Sequence, residues 1–194
     1  MISTFTALID ANVFYGARLR SLVLFVAQSG TFRARWTEQI HTEWMTKLLE
    51  KRPDLSMPQL QKTRESMDRS VPDCIVVGYE SLIENLKLPD PDDRHVLAAA
   101  IRAGADVIVT FNLGDFPDEI LAPYGIHTKT PDDFFLDLES LHPAVLLDAA
   151  AKDKAHYKNP KLSVDEYISS LRTARIPGVA EYIEKVRIAI DGNS

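Results

Sequence analysis

Two aspartates follow apolar segments that are typical of buried strands. Asp10 comes directly after the apolar run 5–9, and Asp115 lies a few residues beyond the apolar run 106–110. Ligands of open parallel sheets bind in the crevice outside the carboxyl ends of the strands. The sequence therefore predicts that both carboxylates lie at one edge of a single sheet, where they could bind a cation or act on a substrate.

Further acids are expected at the same edge. The Asp-Pro-Asp-Asp segment 90–93 begins a helix expected at 94–103, which leads into the strand before Asp115. A right-handed crossover would bring the first turn of that helix to the same edge. Glu43 lies beside Trp44 in another helix, and an acid next to an apolar face is costly unless it is paired or binds a metal ion.

Each of these acids also has a purely structural explanation. Asp90 before a proline is a typical helix N-cap, and Asp10 with Asn12 is typical of a turn. Glu43 could be solvated on its helix, and Asp115 could cap the turn that follows it. The functional interpretation rests on the joint appearance of these acids.

The residue types indicate which ion would bind. Carboxylate oxygens without a cluster of Cys or His suit Mg²⁺ or Mn²⁺. Acids that converge without a cation repel one another and raise their own pKa values. A bound divalent ion would hold them together, activate a water for attack on a phosphodiester and stabilise the leaving oxygen.

Alternating strands and helices must position these acids. Strands are expected at 5–9, 73–77, 106–110 and 125–127, with helices between them, which predicts an α/β fold with a central parallel sheet flanked by helices. From residue 130 onward the pattern is helical only, with helices expected at 131–138, 143–156, 164–171 and 177–190. We therefore predict a catalytic domain at 1–138 and a C-terminal helical extension at 139–194.

The composition excludes several classes of protein. A chain of 194 residues with 45% hydrophobic and 26% charged residues is typical of a globular protein and not of a collagen, coiled coil or disordered chain. Cys74 is the only cysteine, so no intramolecular disulfide forms, and its apolar neighbours predict burial. The N-terminus has no basic segment ahead of an apolar one, so we expect a cytoplasmic protein without a membrane segment.

The net charge of -6 is unevenly distributed. Residues 1–72 contain 10 Lys and Arg against 7 Asp and Glu, residues 73–139 contain 4 against 14, and residues 140–194 contain 8 against 7. An acidic block between mildly basic segments is able to bind a cation beside a polyanion. A solvated acidic surface is the alternative.

The order and spacing of these motifs resemble the PIN-domain family of metal-dependent nucleases, over about residues 4–136. The resemblance is carried by the segments 8–13 and 88–100, by Glu43, and by the segment 109–117. Within that family the sequence looks most like the VapC-type toxins of prokaryotic toxin–antitoxin pairs. This resemblance implies an Mg²⁺- or Mn²⁺-dependent ribonuclease that a cognate antitoxin protein neutralises, and it makes a homodimer plausible.

The resemblance also assigns site residues. Asp10 and Asp93 correspond to the first and third acids and are the expected direct ligands, whereas Glu43 is either a ligand or a base that orients water. The fourth acid is open, because family members place an acid where this sequence has Asn112, while Asp115 lies nearby. The remaining expected contributors are Asp90, one helical turn before Asp93, as a further ligand, and Thr110, Asn112 and Asn12 as supporting residues.

An RNA substrate needs cationic and stacking contacts as well. Phe14 and Tyr15 could stack on a base or belong to the core, and His95 is expected to be an ordinary residue of a helix face. The candidate phosphate contacts are the basic residues of the first third, each of which could also be a solvated surface residue: Arg33, Arg35, Lys47, Arg52, Lys62, Arg64 and Arg69.

Two other function classes remain open. An Asp-based phosphotransfer protein or phosphatase also places acids at strand ends around Mg²⁺, but here Asn12 stands where a second aspartate is expected, and no lysine follows a strand near the acids. A non-catalytic PIN-like interaction domain would require the grouping of acids to be fortuitous. Stabilisation of the fold by divalent cations distinguishes that class from a nuclease.

Overall fold

The fold is a four-stranded parallel sheet with helices, as seen in a computed structural model that describes residues 5–187. The strands are β1 (Thr6–Ile9), β2 (Arg33–Arg35), β3 (Val107–Val109) and β4 (His127–Lys129), in the order β2-β1-β3-β4. All three pairings are parallel. The predicted α/β class, with a central parallel sheet flanked by helices, is confirmed.

The two central strands are the most apolar. Every residue of β1 and β3 is buried, and Leu8 lies opposite Ile108 in their register. Strands buried on both faces are continuous apolar runs, and this is why the sequence predicts these two strands well.

The edge of the sheet differs from the sequence-based expectation. The strand β2 was not predicted, because its single buried residue, Ala34, lies between two arginines. The strand expected at 73–77 is reduced to a single bridge between Ile75 and Trp36. Its start is interrupted by Asp73, which has a φ of 57° and so cannot continue an extended strand.

Eleven α-helices occur in the part of the chain that the structure describes. They are α1 (Ala11–Phe14), α2 (Ala17–Ala27), α3 (Glu38–Lys51), α4 (Met57–Ser70), α5 (Glu80–Ile83), α6 (Arg94–Ala103), α7 (Asp118–Leu121), α8 (Pro131–Leu141), α9 (Pro143–His156), α10 (Val164–Thr173) and α11 (Pro177–Lys185). The last helix was expected to reach residue 190, and residues 188–190 lie outside the described range.

The helix α6 begins directly after the third expected acid, Asp93. Asp90 caps the preceding 3₁₀ turn, Pro91–Asp93, by accepting a 2.9 Å hydrogen bond from the Asp92 N–H. The run Ala98–Ala100 is fully buried, and these small side chains allow the helix to pack against β1 and β3. Gly104 ends the helix in the left-handed conformation, with a φ of 59°, which glycine adopts without strain.

The chain forms two compact units. Among the described residues, one unit comprises 5–15 and 32–130 and contains the sheet, and the other comprises 16–31 and 131–187. The second unit therefore includes α2 together with α8 to α11, and α2 packs against α9 and α10. The expected domain boundary between residues 138 and 139 stays a prediction, since compact units need not coincide with domains.

A buried polar cluster holds the second unit together. The carboxylate of Asp153 on α9 is fully buried and accepts hydrogen bonds from Arg18 (2.9 Å), Tyr167 (2.9 Å) and Ser21. The Arg18 guanidinium also lies 4.0 Å from the ring centroid of Tyr157. Three helices, α2, α9 and α10, thus share one buried charge.

None of the helices within residues 5–187 has the length and apolarity needed to cross a membrane.

Candidate active site

Asp10 occupies the point where the strand order reverses. The strands β1 and β3 are neighbours, and the chain leaves β1 toward one edge of the sheet and β3 toward the other. The backbone N–H of Asp10 donates a 3.0 Å hydrogen bond to the Val109 carbonyl oxygen. Ligands of open α/β sheets bind at such switch points, so the position matches the sequence-based expectation.

The Asp10 carboxylate is held by hydrogen bonds on both oxygens. The side chain is 5% exposed. Its Oδ1 accepts from the Ala11 N–H at 2.6 Å, and its Oδ2 accepts from Asn12 Nδ2 at 2.6 Å and from the Thr110 hydroxyl at 2.7 Å. These contacts fix the orientation of the carboxylate.

Asn12 and Thr110 connect the ends of the two central strands. The Asn12 amide donates to the Thr110 hydroxyl at 2.9 Å and accepts from the Phe111 N–H at 3.1 Å. The Thr110 hydroxyl also accepts from the Asn112 N–H at 3.0 Å. The three expected supporting residues, Asn12, Thr110 and Asn112, are therefore brought together with Asp10.

The loop after β3 directs Asp115 back toward the acids. The Asp115 N–H donates to the Asn112 carbonyl oxygen at 3.1 Å, which closes the 3₁₀ turn Leu113–Asp115. The Asn112 side chain is exposed, whereas the Asp115 carboxylate raises the pKa of Asp93. The Asp115 charge thus acts on Asp93, and the choice between Asp115 and Asn112 for the fourth position stays a prediction.

Asp93 lies among the other expected acids. Burial, followed by the negative charges of Asp10, Asp115 and Asp90, raises its pKa to about 7. A carboxyl group with this pKa is about half protonated at neutral pH, whereas an ordinary aspartate is fully ionised there. The charges of Asp10, Asp115 and Asp90 therefore act on Asp93, and the expectation that these acids bind one ion together stays a prediction.

Glu43 reaches the same region from α3. Its Oε1 lies 2.8 Å from Nε2 of His95 and accepts a 3.2 Å hydrogen bond from Gln39 Nε2. Burial is the largest cause that raises the pKa of Asp10, and the charge of Glu43 raises it further. The five expected acids, Asp10, Glu43, Asp90, Asp93 and Asp115, are together called the acidic group.

The acidic group is chemically suited to a divalent cation. No lysine or arginine in the range 5–187 forms an ion pair with Asp10, Asp93 or Asp115. Hard oxygen donors that repel one another are the donor set that Mg²⁺ and Mn²⁺ prefer. Within the same range, however, no three His, Cys, Asp or Glu side chains already converge closely enough to bind one ion. Binding would thus require side-chain rearrangement.

The two aromatic residues after Asp10 have different environments. Phe14 is fully buried and packs edge-on against Trp36 at 5.4 Å between centroids, so it belongs to the core. Tyr15 is half-buried, and its pKa is raised first by burial and then by Asp10, Glu43 and Asp93. Tyr15 thus borders the acidic group, with the Lys51 ammonium 5.8 Å from its ring centroid.

Several candidate phosphate contacts form ion pairs on the surface. Lys47 pairs with Glu50, Arg52 with Asp54, Arg64 with Glu38 and Asp68, and Arg69 with Glu65. Arg33 and Lys62 are exposed, and Arg35 is half-buried. Exposed ion pairs contribute only about 0–1 kcal/mol each, so they leave these side chains available to a polyanion.

Sequence reasoning did not predict the contact between His95 and Glu43. His95 was expected to be an ordinary helix-face residue, but it is 3% exposed and contacts Glu43. The apolar run that follows it is buried, so the helix has no exposed face at this point to which a polar residue could be assigned. The sequence signal that could have indicated a contact with the acids is the position of His95, two residues after Asp93.

Comparisons with known proteins agree with this geometry. A family model described as PIN domain matches residues 6–114, and a model described as VapC50 C-terminal domain matches residues 131–185. The chain is 43% identical over 91 residues to VapC50 of Mycobacterium tuberculosis, a protein described as a candidate ribonuclease. That match covers 45% of this chain and 53% of the relative, so it spans about half the length of each protein.

No solved structure matches the chain. The PIN-domain model covers more than half of the 194 residues and includes both central strands. The resemblance to VapC-type PIN proteins is thereby confirmed, and the chain belongs to the PIN-domain family.

Proposed function

We propose that this protein is a metal-dependent endoribonuclease that hydrolyses RNA phosphodiesters at the acidic group. The observation that carries this proposal is the position of Asp10, whose carboxylate is held at the ends of the two central strands by Ala11, Asn12 and Thr110. The charge of Asp10 acts on Asp93, whose pKa is raised to about 7 by burial and then by neighbouring carboxylates. Like charges that are held together in a partly buried site favour a divalent cation. The description of the VapC50 relative as a candidate ribonuclease supports RNA as the substrate.

The expected ligands are Asp10 and Asp93, with Asp115 and Asp90 as direct or water-mediated ligands. When bound, Mg²⁺ or Mn²⁺ supplies charge stabilisation to the phosphodiester and lowers the pKa of a water molecule. Repulsion within the acidic group would also decrease, which would allow a polyanion to approach the site.

Each acid has a distinct contribution. Asp10 is oriented by three hydrogen bonds and so presents a fixed carboxylate at the switch point. Glu43 holds one oxygen on His95, and its other oxygen is suited to orient the attacking water, which must lose a proton as the P–O bond forms. Asp115 and Asp90 add negative charge near Asp93, which increases the electrostatic attraction of a cation.

We further propose that the protein is the toxin of a prokaryotic toxin–antitoxin pair, acts in the cytoplasm and is neutralised by a cognate antitoxin protein. Support comes from the match of residues 131–185 to the VapC50 C-terminal domain model. Co-expression with the product of an adjacent small gene should relieve growth inhibition if this is correct. Light scattering of the purified protein would test the homodimer that the family resemblance makes plausible.

A phosphotransfer function is disfavoured by the hydrogen bonds of Asp10. A phosphorylated aspartate needs a carboxylate oxygen that is able to attack phosphorus. Both oxygens of Asp10 accept hydrogen bonds, and the side chain is 5% exposed. The non-catalytic alternative keeps the fold without cleavage, and the experiment below distinguishes it.

The test is cleavage of a mixed pool of structured RNAs by purified protein in Mg²⁺, Mn²⁺ or EDTA. Wild type should cut only with a divalent cation, and Asp10→Asn and Asp93→Asn should lose at least about 100-fold in rate, because each removes a charged ligand. Asp92→Asn is the matched control: Asp92 is exposed and lies beside Asp93 in the same turn. Equal cutting by wild type and all variants would identify a contaminant and overturn the proposal.

A further inference from the structure

The contact between His95 and Glu43 joins two helices at the acidic group. His95 lies on α6 and Glu43 on α3, and Nε2 of the imidazole is 2.8 Å from Oε1 of the carboxylate. An ionised carboxylate only accepts hydrogen bonds, so Nε2 carries the proton of this contact. The imidazole is 3% exposed, which shields the contact from competing water.

The other nitrogen of His95 is not paired. Nδ1 is buried and has no hydrogen-bond partner among residues 5–187. A buried polar atom without a partner destabilises a fold. Stability of α6 therefore does not explain a histidine at this position, since an apolar side chain would pack there without an unpaired nitrogen.

The two carboxylate oxygens of Glu43 have different contacts. Oε1 receives His95 Nε2 and also Gln39 Nε2 at 3.2 Å. Oε2 receives no hydrogen bond from the described residues. The Glu43 side chain is 35% exposed, so without these donors it would sample several rotamers.

We propose that His95 is a positioning residue that holds Oε1 of Glu43 and thereby presents Oε2 to the cation and the attacking water. This inference rests on the proposed function, because it assigns a role to Glu43 in the same site.

The experiment compares two amide variants of His95 that differ in reach. In His95→Gln the amide nitrogen falls near the place of Nε2 and is still able to donate to Glu43, whereas in His95→Asn it is too short. Mn²⁺ affinity is measured from the electron paramagnetic resonance signal of free Mn²⁺, and kcat and KM are measured on a cleaved RNA. Unfolding curves in EDTA establish that each variant is folded.

The expected result is a loss in His95→Asn that His95→Gln largely restores. Partners that orient a ligand typically change metal affinity or activity by about 10- to 100-fold. We expect His95→Asn to weaken Mn²⁺ binding and to lower kcat by that factor without a change in KM for RNA. Gln39→Leu removes the weaker donor from an exposed position and should give a smaller loss, which keeps the test informative if His95→Asn does not fold.

The matched control is His41→Asn. His41 is a second buried histidine paired with a carboxylate, since its Nε2 lies 2.9 Å from Oδ1 of Asp68, but Asp68 is not part of the acidic group. His41→Asn should therefore lower stability without weakening Mn²⁺ binding.

Two results would count against the inference, and they are distinguishable. Wild-type Mn²⁺ affinity and kcat in folded His95→Asn would overturn the positioning role while the nuclease proposal stands. If His95→Asn does not fold, wild-type values in Gln39→Leu would overturn it, because they would show that Oε1 of Glu43 need not be held. A wild-type protein that neither binds Mn²⁺ nor cleaves RNA would overturn the proposed function, and the role of His95 with it.

Discussion

The Thr110 hydroxyl donates a 2.7 Å hydrogen bond to Oδ2 of Asp10, and this contact connects residues that are 100 positions apart in the chain. It joins the ends of the two central strands of the sheet. The same hydroxyl oxygen accepts hydrogen bonds from Asn12 and from the Asn112 backbone, so one buried side chain orders both loops of the site.

Removal of that hydroxyl should weaken both the fold and the site. Thr110→Val removes the acceptor of the Asn12 amide and of the Asn112 N–H, and it removes one donor to Asp10. Each buried polar group left unpaired costs about 1–3 kcal/mol. We expect a decrease of at least about 2 kcal/mol in the free energy of unfolding, measured by urea denaturation. Thr46→Val, at an exposed position of α3, is the control and should change stability by less than about 0.5 kcal/mol.

Removal of the Asp93 charge should have opposite effects with and without metal. Because burial and then neighbouring carboxylates raise the pKa of Asp93 to about 7, the ionised form is disfavoured in metal-free protein at pH 8. Asp93→Asn should therefore raise the melting temperature in EDTA and remove the stabilisation of wild type by millimolar Mg²⁺. A variant that melts below wild type in EDTA would show that repulsion is not dominant at this site.

Replacement of only one residue of the buried Asp153–Arg18 ion pair should destabilise the fold more than replacement of both. It is fully buried and accepts from Arg18, whose side chain is 12% exposed. Asp153→Leu leaves a buried guanidinium without its counter-charge and should cost about 3–5 kcal/mol, whereas the double change Arg18→Met with Asp153→Leu should cost clearly less. Urea unfolding of the four proteins of this cycle measures the coupling, and additive losses would contradict it.

The thiol of Cys74 should react slowly in the folded protein. Burial, then the charge of Asp68 and its hydrogen bond, raise the Cys74 pKa from 9.0 to about 12. A thiol pKa raised on folding favours the protonated form, so its contribution to stability is present below pH 9 and is lost as the pH rises from 9 toward 12. Alkylation at pH 9 should be at least about 100-fold slower in folded than in guanidinium-unfolded protein. Equal rates would show that the thiol is accessible and ionised.

The elements that could be predicted from sequence are those with strong local patterns. The strands β1 and β3 are continuous apolar runs, and α6 has both an N-cap and a terminal glycine. The strand β2 was missed because an edge strand of three residues with two arginines has no such pattern.

The candidate site also combines residues that a local sequence pattern indicates with residues that only tertiary contacts bring in. Asp10 and Asp93 could be proposed from the sequence because the first follows a recognisable strand and the second begins a recognisable helix. The roles of Thr110 and Asn12 depend on a contact across 98 residues, which no local pattern encodes. The burial of His95 could not be predicted, because burial of its helix on several sides is a tertiary property.

The second unit is discontinuous in sequence, and this affects synthesis of the protein. The helix α2 is made early, but its packing partner α9 follows more than a hundred residues later. The buried residues of α2, including Leu19, Leu22 and Val26, thus remain without their native cover while the sheet-containing unit is translated. We expect the nascent chain to expose an apolar helix until the ribosome has released the C-terminal helices, and this interval is when a chaperone would bind.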